Sequence, residues 1–203
     1  RVDVPSKGFV VHYEGPKDFE HFTEREQSNG VQHYKGSKGN ERLVKLESKN
    51  GSTVYYAAEG VEGRIERVET KCGFTYLYAG DKGQEYFYQC TDNSKGYVTR
   101  FEGKSGYERM VHTKKDNEEA EYEGPQNCER IVKITTTLLE EKLEAFFETD
   151  INGRQALVKR IRGGRTTYYK GEAGKEEEIT ASEYEDMQLI LKLTAPEFSR
   201  SNK

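Results

Sequence analysis

Apolar and polar residues alternate along this chain in short runs, and glycine-containing turns punctuate the runs at even intervals. LVKL at 43–46 and IVKI at 131–134 show the pattern: branched apolar residues interleaved with charge, too short for a helix and suited to a strand. Each run lies between an aromatic that opens a turn and a second, polar turn. The opening aromatics are Tyr13, Tyr34, Tyr56, Tyr78, Phe101, Tyr122, Phe147 and Tyr169, separated by 21, 22, 22, 23, 21, 25 and 22 residues. A fixed period of this size marks a repeat architecture.

The phrase after each aromatic carries the turn chemistry. Gly15, Gly36, Gly80, Gly103, Gly124 and Gly171 lie two positions on, and in the unit from Tyr56 the glycine is Gly60, two residues further along. A second glycine follows at Gly39, Gly63, Gly83, Gly106 and Gly174, which suits a tight turn with positive φ. Glu-Arg comes next at Glu41-Arg42, Glu66-Arg67, Glu108-Arg109 and Glu129-Arg130. The run ends in a polar turn such as Lys49-Asn50-Gly51 or Gly163-Gly164, a short-range hairpin signal. Each unit therefore reads as strand, turn, strand, turn, in a meander of roughly fifteen or sixteen strands of about seven to nine residues.

Strict alternation from the Glu-Arg step puts Glu41, Leu43 and Lys45 on one face and Arg42, Val44 and Leu46 on the other. Both faces then mix charge with apolar groups, whereas sandwiches and barrels bury one clean face. The expectation is all-β: an elongated, twisted, largely single-layer antiparallel meander of about eight hairpin repeats over residues 1–181. Two stretches compete with it. LLEEKLEAFFE at 138–148 has helical spacing through Leu139, Leu143, Phe146 and Phe147, but the repeat places a hairpin there, with Glu140-Glu141-Lys142 near its tip. The repeat is the stronger guide. SEYEDMQLILKL at 182–193 reads as a helix capping the last hairpin over 182–195. Ser182 with Glu185 resembles a capping box, Tyr184, Met187 and Leu191 share a face, and a flexible tail follows over 196–203.

Composition agrees with a thin structure. Hydrophobic residues are 33% and charged residues 33%, with no tryptophan, 14 tyrosines and 9 phenylalanines: too little oil for a deep core, too many aromatics for a disordered chain. A net charge of −4, with both signs interspersed, lacks the basic excess of a nucleic-acid binder. Cys72, Cys90 and Cys128 form no CxxC pair, which argues against a disulfide framework and for a reducing, cytoplasmic setting. No apolar run reaches transmembrane length. Asn50-Gly51-Ser52 is a formal glycosylation triplet of a kind common by chance.

YEG at 13–15, YKG at 34–36, FEG at 101–103, YEG at 122–124 and YKG at 169–171, on a period near 22, resemble MORN repeats (membrane occupation and recognition nexus) from about residue 9 to 180. The chain departs from that pattern in having Glu-Arg where a MORN unit has a Gly-x-Gly step. The resemblance implies an elongated hairpin array for scaffolding, dimerisation or contact with proteins and membranes.

Catalytic constellations are lacking. His12 and His33 precede equivalent anchors, roughly 9–10 Å apart if two strands separate them, too far to share a metal. No HExxH, nucleophile elbow, phosphate loop or EF-hand is present, so no cofactor and no enzyme activity is expected. The candidate binding residues are two rows. Arg42, Arg67, Arg109 and Arg130 suit carboxylates or phosphates, or pair with neighbouring glutamates. Tyr34, Tyr56, Tyr78, Phe101, Tyr122 and Tyr169 serve packing or a ligand platform. The expected function is a non-enzymatic scaffold that engages a protein partner or a second copy of itself. The alternative is a glycan- or anion-binding module, with an anionic lipid headgroup among its ligands.

Overall fold

The structure, a computed structural model, describes residues 2–4, 8–57, 63–139, 141–149 and 153–194. Among these residues the protein is all-β, with seventeen strands and one C-terminal helix. Its contacts gather into two units. The first unit, residues 1–116 with 124–129, holds β1 (Val2–Val4), β2 (Phe9–Glu14), β3 (His21–Gln27), β4 (Gly30–Lys35), β5 (Arg42–Ser48), β6 (Thr53–Tyr56), β7 (Ile65–Glu69), β8 (Phe74–Ala79), β9 (Tyr86–Asp92), β10 (Tyr97–Glu102) and β11 (Arg109–Lys115). The second, residues 117–123 with 130–203, holds β12 (Glu118–Glu123), β13 (Arg130–Leu138), β14 (Glu141–Thr149), β15 (Gln155–Arg162), β16 (Arg165–Lys170), β17 (Glu177–Ile179) and helix α1 (Ala181–Thr194). Within each unit every strand pairs antiparallel with its chain neighbour, and the sheet does not close.

Among the described residues no second layer covers the sheet of the first unit, and in the second only helix α1 packs on it, against β16. Among the described residues only Val11, Ala57, Ala120 and Ala156 form a buried apolar core, and no large side chain is fully buried. Cohesion therefore comes from cross-strand pairs, each worth about 0.2–1 kcal/mol. The tail expected over 196–203 lies outside the described residues.

The anchor aromatics set the register. Tyr13 faces Phe22, Tyr34 faces Leu43, Tyr56 faces Ile65, Tyr78 faces Phe87 and Phe101 faces Met110; in the second unit Tyr122 faces Ile131 and Phe147 faces Leu157. At every one of these pairs the partner strand carries a β-bulge. Thus Tyr34 opposes Leu43 and His33 opposes Lys45, which leaves Val44 without a partner.

The bulge corrects the expectation of two mixed faces. One extra residue per strand shifts the alternation, so Leu43 and Leu46 join Tyr34 on one face while Lys45 and Glu47 turn to the other. The sheet is open although its faces are largely sorted, one mainly aromatic and aliphatic, the other mainly ionic. Alternation counted without the bulge hides that sorting.

The turn after each anchor closes on its own backbone. The amide of Asn40 donates to the carbonyl of Ser37 at 2.8 Å, and the third residue of that turn, Gly39, has φ +82°. Asp18 and Asn127 occupy the same place with φ of 70° and 62°, because Asn and Asp tolerate the left-handed region best after glycine. Gly36 has a stricter role. A Cβ there would lie 2.3 Å from the carbonyl oxygen of Asn40, so the chain can cross itself only at a glycine.

The hairpin expected over 138–148 is present as β13 and β14. Leu138 pairs with Glu141 across its tip, where Leu139 has φ +48°, next to the expected Glu140-Glu141-Lys142; Glu140 lies outside the described residues. Helix α1 begins one residue earlier than expected and uses a different cap. The hydroxyl of Thr180 accepts the Glu183 amide at 3.2 Å, while the Glu183 carboxylate accepts the Thr180 amide at 2.9 Å. Thr180, not Ser182, is the first residue free of the β17 ladder, so the capping box is Thr180–Glu183. The Tyr184 ring stacks on Tyr168 at 4.5 Å, and Gln188 donates to Glu148 at 3.2 Å, which fixes the helix against β16. Met187 is half-buried, and the Leu191 side chain lies outside those described.

Candidate interaction surface

Two parallel rows cross the first unit, one on each face. On the aromatic face the anchors and their partners form a spine. Ring centroids are 6.0 Å apart for Tyr13 and Phe22, 4.2 Å for Phe22 and Tyr34, 6.4 Å for Tyr78 and Phe87, and 4.7 Å for Phe87 and Phe101. These tilted and edge-on geometries are the favourable ones. The spine is half-buried in the single layer, and Tyr13 and Tyr97 are more than two-fifths exposed. Burial pushes the phenols of Tyr56 and Tyr78 upward, so both stay neutral. Burial likewise raises the Cys90 thiol, keeping it protonated beside Tyr76.

The opposite face is ionic. Cross-strand partners run His12, Glu24, His33, Lys45, Tyr55, Arg67, Leu77, Gln89, Arg100 and His112 in unbroken register. The Glu24 carboxylate stands between the two histidines, 3.1 Å from His33 Nδ1, while His12 Nε2 meets Glu26 at 2.6 Å. Lys45 pairs with Glu47, and the Tyr55 hydroxyl donates to Glu69 at 3.0 Å. Most charges in this row find partners within the sheet, where exposed pairs contribute little to stability but specify register.

The expected arginine row does not hold. Arg42, Arg109 and Arg130 share one register position, opposite Lys35, Glu102 and Glu123. Arg67 does not: it opposes Tyr55, its guanidinium 3.9 Å from that ring and its Nε 3.4 Å from Glu69. Arg64 stands in its place, its carbonyl accepting the Ala57 amide as the first rung after the turn. The Tyr56 unit has the usual nine residues from anchor to partner, so its Glu-Arg pair falls three residues late; Gly60 lies outside the described residues. Arg109 pairs with Glu102 at 3.1 Å and Arg130 donates to Thr149 at 2.9 Å. Exposed Arg42 lines a shallow hollow with Gly39, Asn40 and Glu41.

Of the aromatic candidates, the structure joins Tyr34, Tyr56, Tyr78 and Phe101 in the spine of the first unit. Tyr122 lies in the second unit opposite Ile131. Tyr169 differs, because Glu178 opposes it and the Arg160 guanidinium lies 5.4 Å from its ring centroid.

The glutamates, rather than the arginines of the Glu-Arg step, tie successive repeats together. Glu41 accepts the amide of Gly39 in its own turn at 2.8 Å and that of Phe22 in the preceding repeat at 3.2 Å. Glu85 does the same with Gly83 and Ile65 at 2.7 and 3.3 Å, and Glu176 with Gly174 and Leu157 at 2.9 and 3.1 Å. Glu129 accepts the Met110 amide at 3.0 Å. Each carboxylate meets an amide that lies just past the end of a strand ladder. In Glu41, Glu85 and Glu129 the residue's own amide, and then those of the preceding repeat, hold the carboxyl below its usual range. Glu85 and Glu176 precede no arginine, so a search for Glu-Arg passes over them. Counting seven residues from the anchor finds them both.

One concave site lies between successive turns of the first unit, about 440 Å³ in volume and lined in part by Tyr86, Tyr107, Gln84 and Lys104; Tyr107 is three-quarters exposed. Among the described residues no group of His, Cys, Asp and Glu could hold a metal ion, and no helix is long and apolar enough to cross a membrane. No model of a known protein family matches the chain, and no curated protein matches it either.

Proposed function

We propose that this chain is a non-enzymatic, MORN-like hairpin-repeat module whose aromatic face in the first unit seats a protein partner. The observation that carries this reading is the spine itself. A row of half-buried rings from Tyr13 through Tyr34 and Tyr78 to Phe101 lies on a face that no second layer covers among the described residues. Rings held edge to face are already ordered, so a partner docking on them loses little rotamer entropy in the module. Aromatic anchors of this kind dominate binding energy at protein interfaces. The ionic face makes the poorer interface, since most of its charges are spent on each other.

Photo-crosslinking tests the reading on the full chain. A benzophenone group at Tyr13 or Tyr97 should capture one discrete protein, or a second copy of the chain. The same group at Glu26, exposed on the ionic face, should not. Equal labelling from both faces, or none from either, removes the proposal. A second reading, glycan binding, is favoured by the aromatic cleft of Tyr86 and Tyr107. A glycan array probed with wild type and Tyr107→Ala checks it, and an array with no signal retires it.

A further inference from the structure

The hairpin of β15 and β16 carries an arrangement that no other hairpin repeats among the described residues. Arg162 and Arg165 are direct cross-strand partners beside the Gly163-Gly164 turn, and Arg160, opposite Thr167, follows two residues back on the same face. Like charges placed directly opposite destabilise a hairpin. All three arginines line a single hollow of about 510 Å³ together with Thr167, Tyr169, Glu141 and Glu178.

One carboxylate already answers this cluster. Glu141 meets Arg162 in a two-pronged contact, Nε to Oε1 and Nη2 to Oε2, each at 3.4 Å. That is the fork geometry guanidinium uses for oxyanions, but at a length where hydrogen bonds are weak, and both side chains are largely exposed. Arg165 has no ion pair among the described residues, and Arg160 rests on the Tyr169 ring. The hollow therefore holds three fixed positive charges and only two carboxylates, one of them loosely engaged.

We propose that this hollow is a binding site for a phosphate monoester dianion, with Glu141 as an intramolecular competitor for the Arg162 fork. A dianion satisfies the opposed Arg162 and Arg165 together, and its tetrahedral oxygens leave one acceptor for Arg160 or the Thr167 hydroxyl. A single carboxylate cannot reach this balance. The site lies in the second unit and uses none of the residues assigned to the protein-docking face, so either reading stands or falls without the other.

The test titrates the full chain with inorganic phosphate, with phenyl phosphate, and with phosphatidylcholine vesicles doped with phosphatidic acid, read by NMR shifts of the arginine side chains or by co-sedimentation. Phenyl phosphate is expected to bind and to weaken as salt rises. Arg165→Ala should lose about tenfold in affinity, and Arg165→Lys, which keeps the charge but not the fork, should recover only part of it. Glu141→Gln should tighten binding by about two- to five-fold, the effect of releasing one exposed ion pair. Binding to the doped vesicles with the same variant pattern supports the site and names a lipid-borne phosphate as its source. Failure of all three probes overturns the proposal. So does binding that Arg165→Ala leaves unchanged in a variant that keeps wild-type circular dichroism, or binding that Glu141→Gln weakens.

Discussion

The turn that joins Tyr34 to Leu43 in the first unit and the one that joins Phe147 to Leu157 in the second reach the same result with different residues. Both start at an anchor aromatic and end at an apolar partner, and both leave a valine, Val44 or Val158, as the bulge. The first uses Gly36, Gly39 and Glu41. The second is one residue longer, has Thr149 where the first has Gly36, and supplies Gly153 and Gln155 instead. Glu41 accepts an amide from Phe22 of the preceding repeat, whereas the Gln155 amide donates to the carbonyl of Ile131, the residue at Phe22's place in its own preceding repeat. Position is kept and polarity is reversed. The repeat demands a polar group of a given reach beside the end of the ladder, and either hydrogen-bonding sense will serve.

The sharpest test of that comparison is backbone geometry. Gly36→Ala forces a Cβ against the Asn40 carbonyl at positive φ and should cost about 2–3 kcal/mol in urea unfolding. Gly153→Ala, where a Cβ meets nothing within 4 Å, should cost only about 1 kcal/mol. Equal costs would mean that the two turns do not differ as described. Next in size, Thr180→Ala should remove about 1 kcal/mol from the second unit through the lost helix cap, while Ser182→Ala should change almost nothing. Hydrogen exchange of the first helical turn separates the two, and a reversed ranking would restore the Ser182 cap.

A smaller effect distinguishes the two latches by pH. Glu41, Glu85 and Glu129 have folded values below the ordinary 4.5, so their contribution is complete above that value and is lost as pH falls through the lowered folded values. Gln155 has no proton to gain. Melting temperature followed from about pH 7 to about pH 3 should therefore fall in wild type, and Glu85→Gln should flatten part of that fall. An unchanged acid limb would show that these carboxylates do not link the repeats. Least of all, Arg67→Ala should lower the melting temperature slightly, through its contact with Tyr55, without altering any binding that Arg42 supports.

Much of the fold could be read from residue order. The anchors, the paired glycines and the Asn-Gly tip at 50–51 identified hairpins because each of those residue types has a local conformational reason to stand where it does. The stretch at 138–148 shows the limit of local preference. Phe146 and Phe147 look like neighbours on a helix, but they face Lys159 and Leu157 on opposite sides of a strand. The candidate site was less legible. Arg67 seemed to belong with Arg42 because both follow a glutamate, yet their registers differ by two residues. Cross-strand pairing, not the adjacent residue, decides which side chains form a row. The Thr180 cap was missed for a similar reason, since only the end of the β17 ladder shows where the chain becomes free to start a helix.

The amino-acid order by itself determined the period, the hairpins and the scarcity of a core, because turn geometry and burial capacity are properties of residues a few positions apart. It left open which face each strand residue would occupy. The bulge at seven of the eight anchors, the glutamate that reaches into the preceding repeat and the convergence of Arg160, Arg162 and Arg165 were decided by tertiary structure alone. Each depends on how one strand lies against the next, and a displacement of one residue between strands turns an oily face into a charged one.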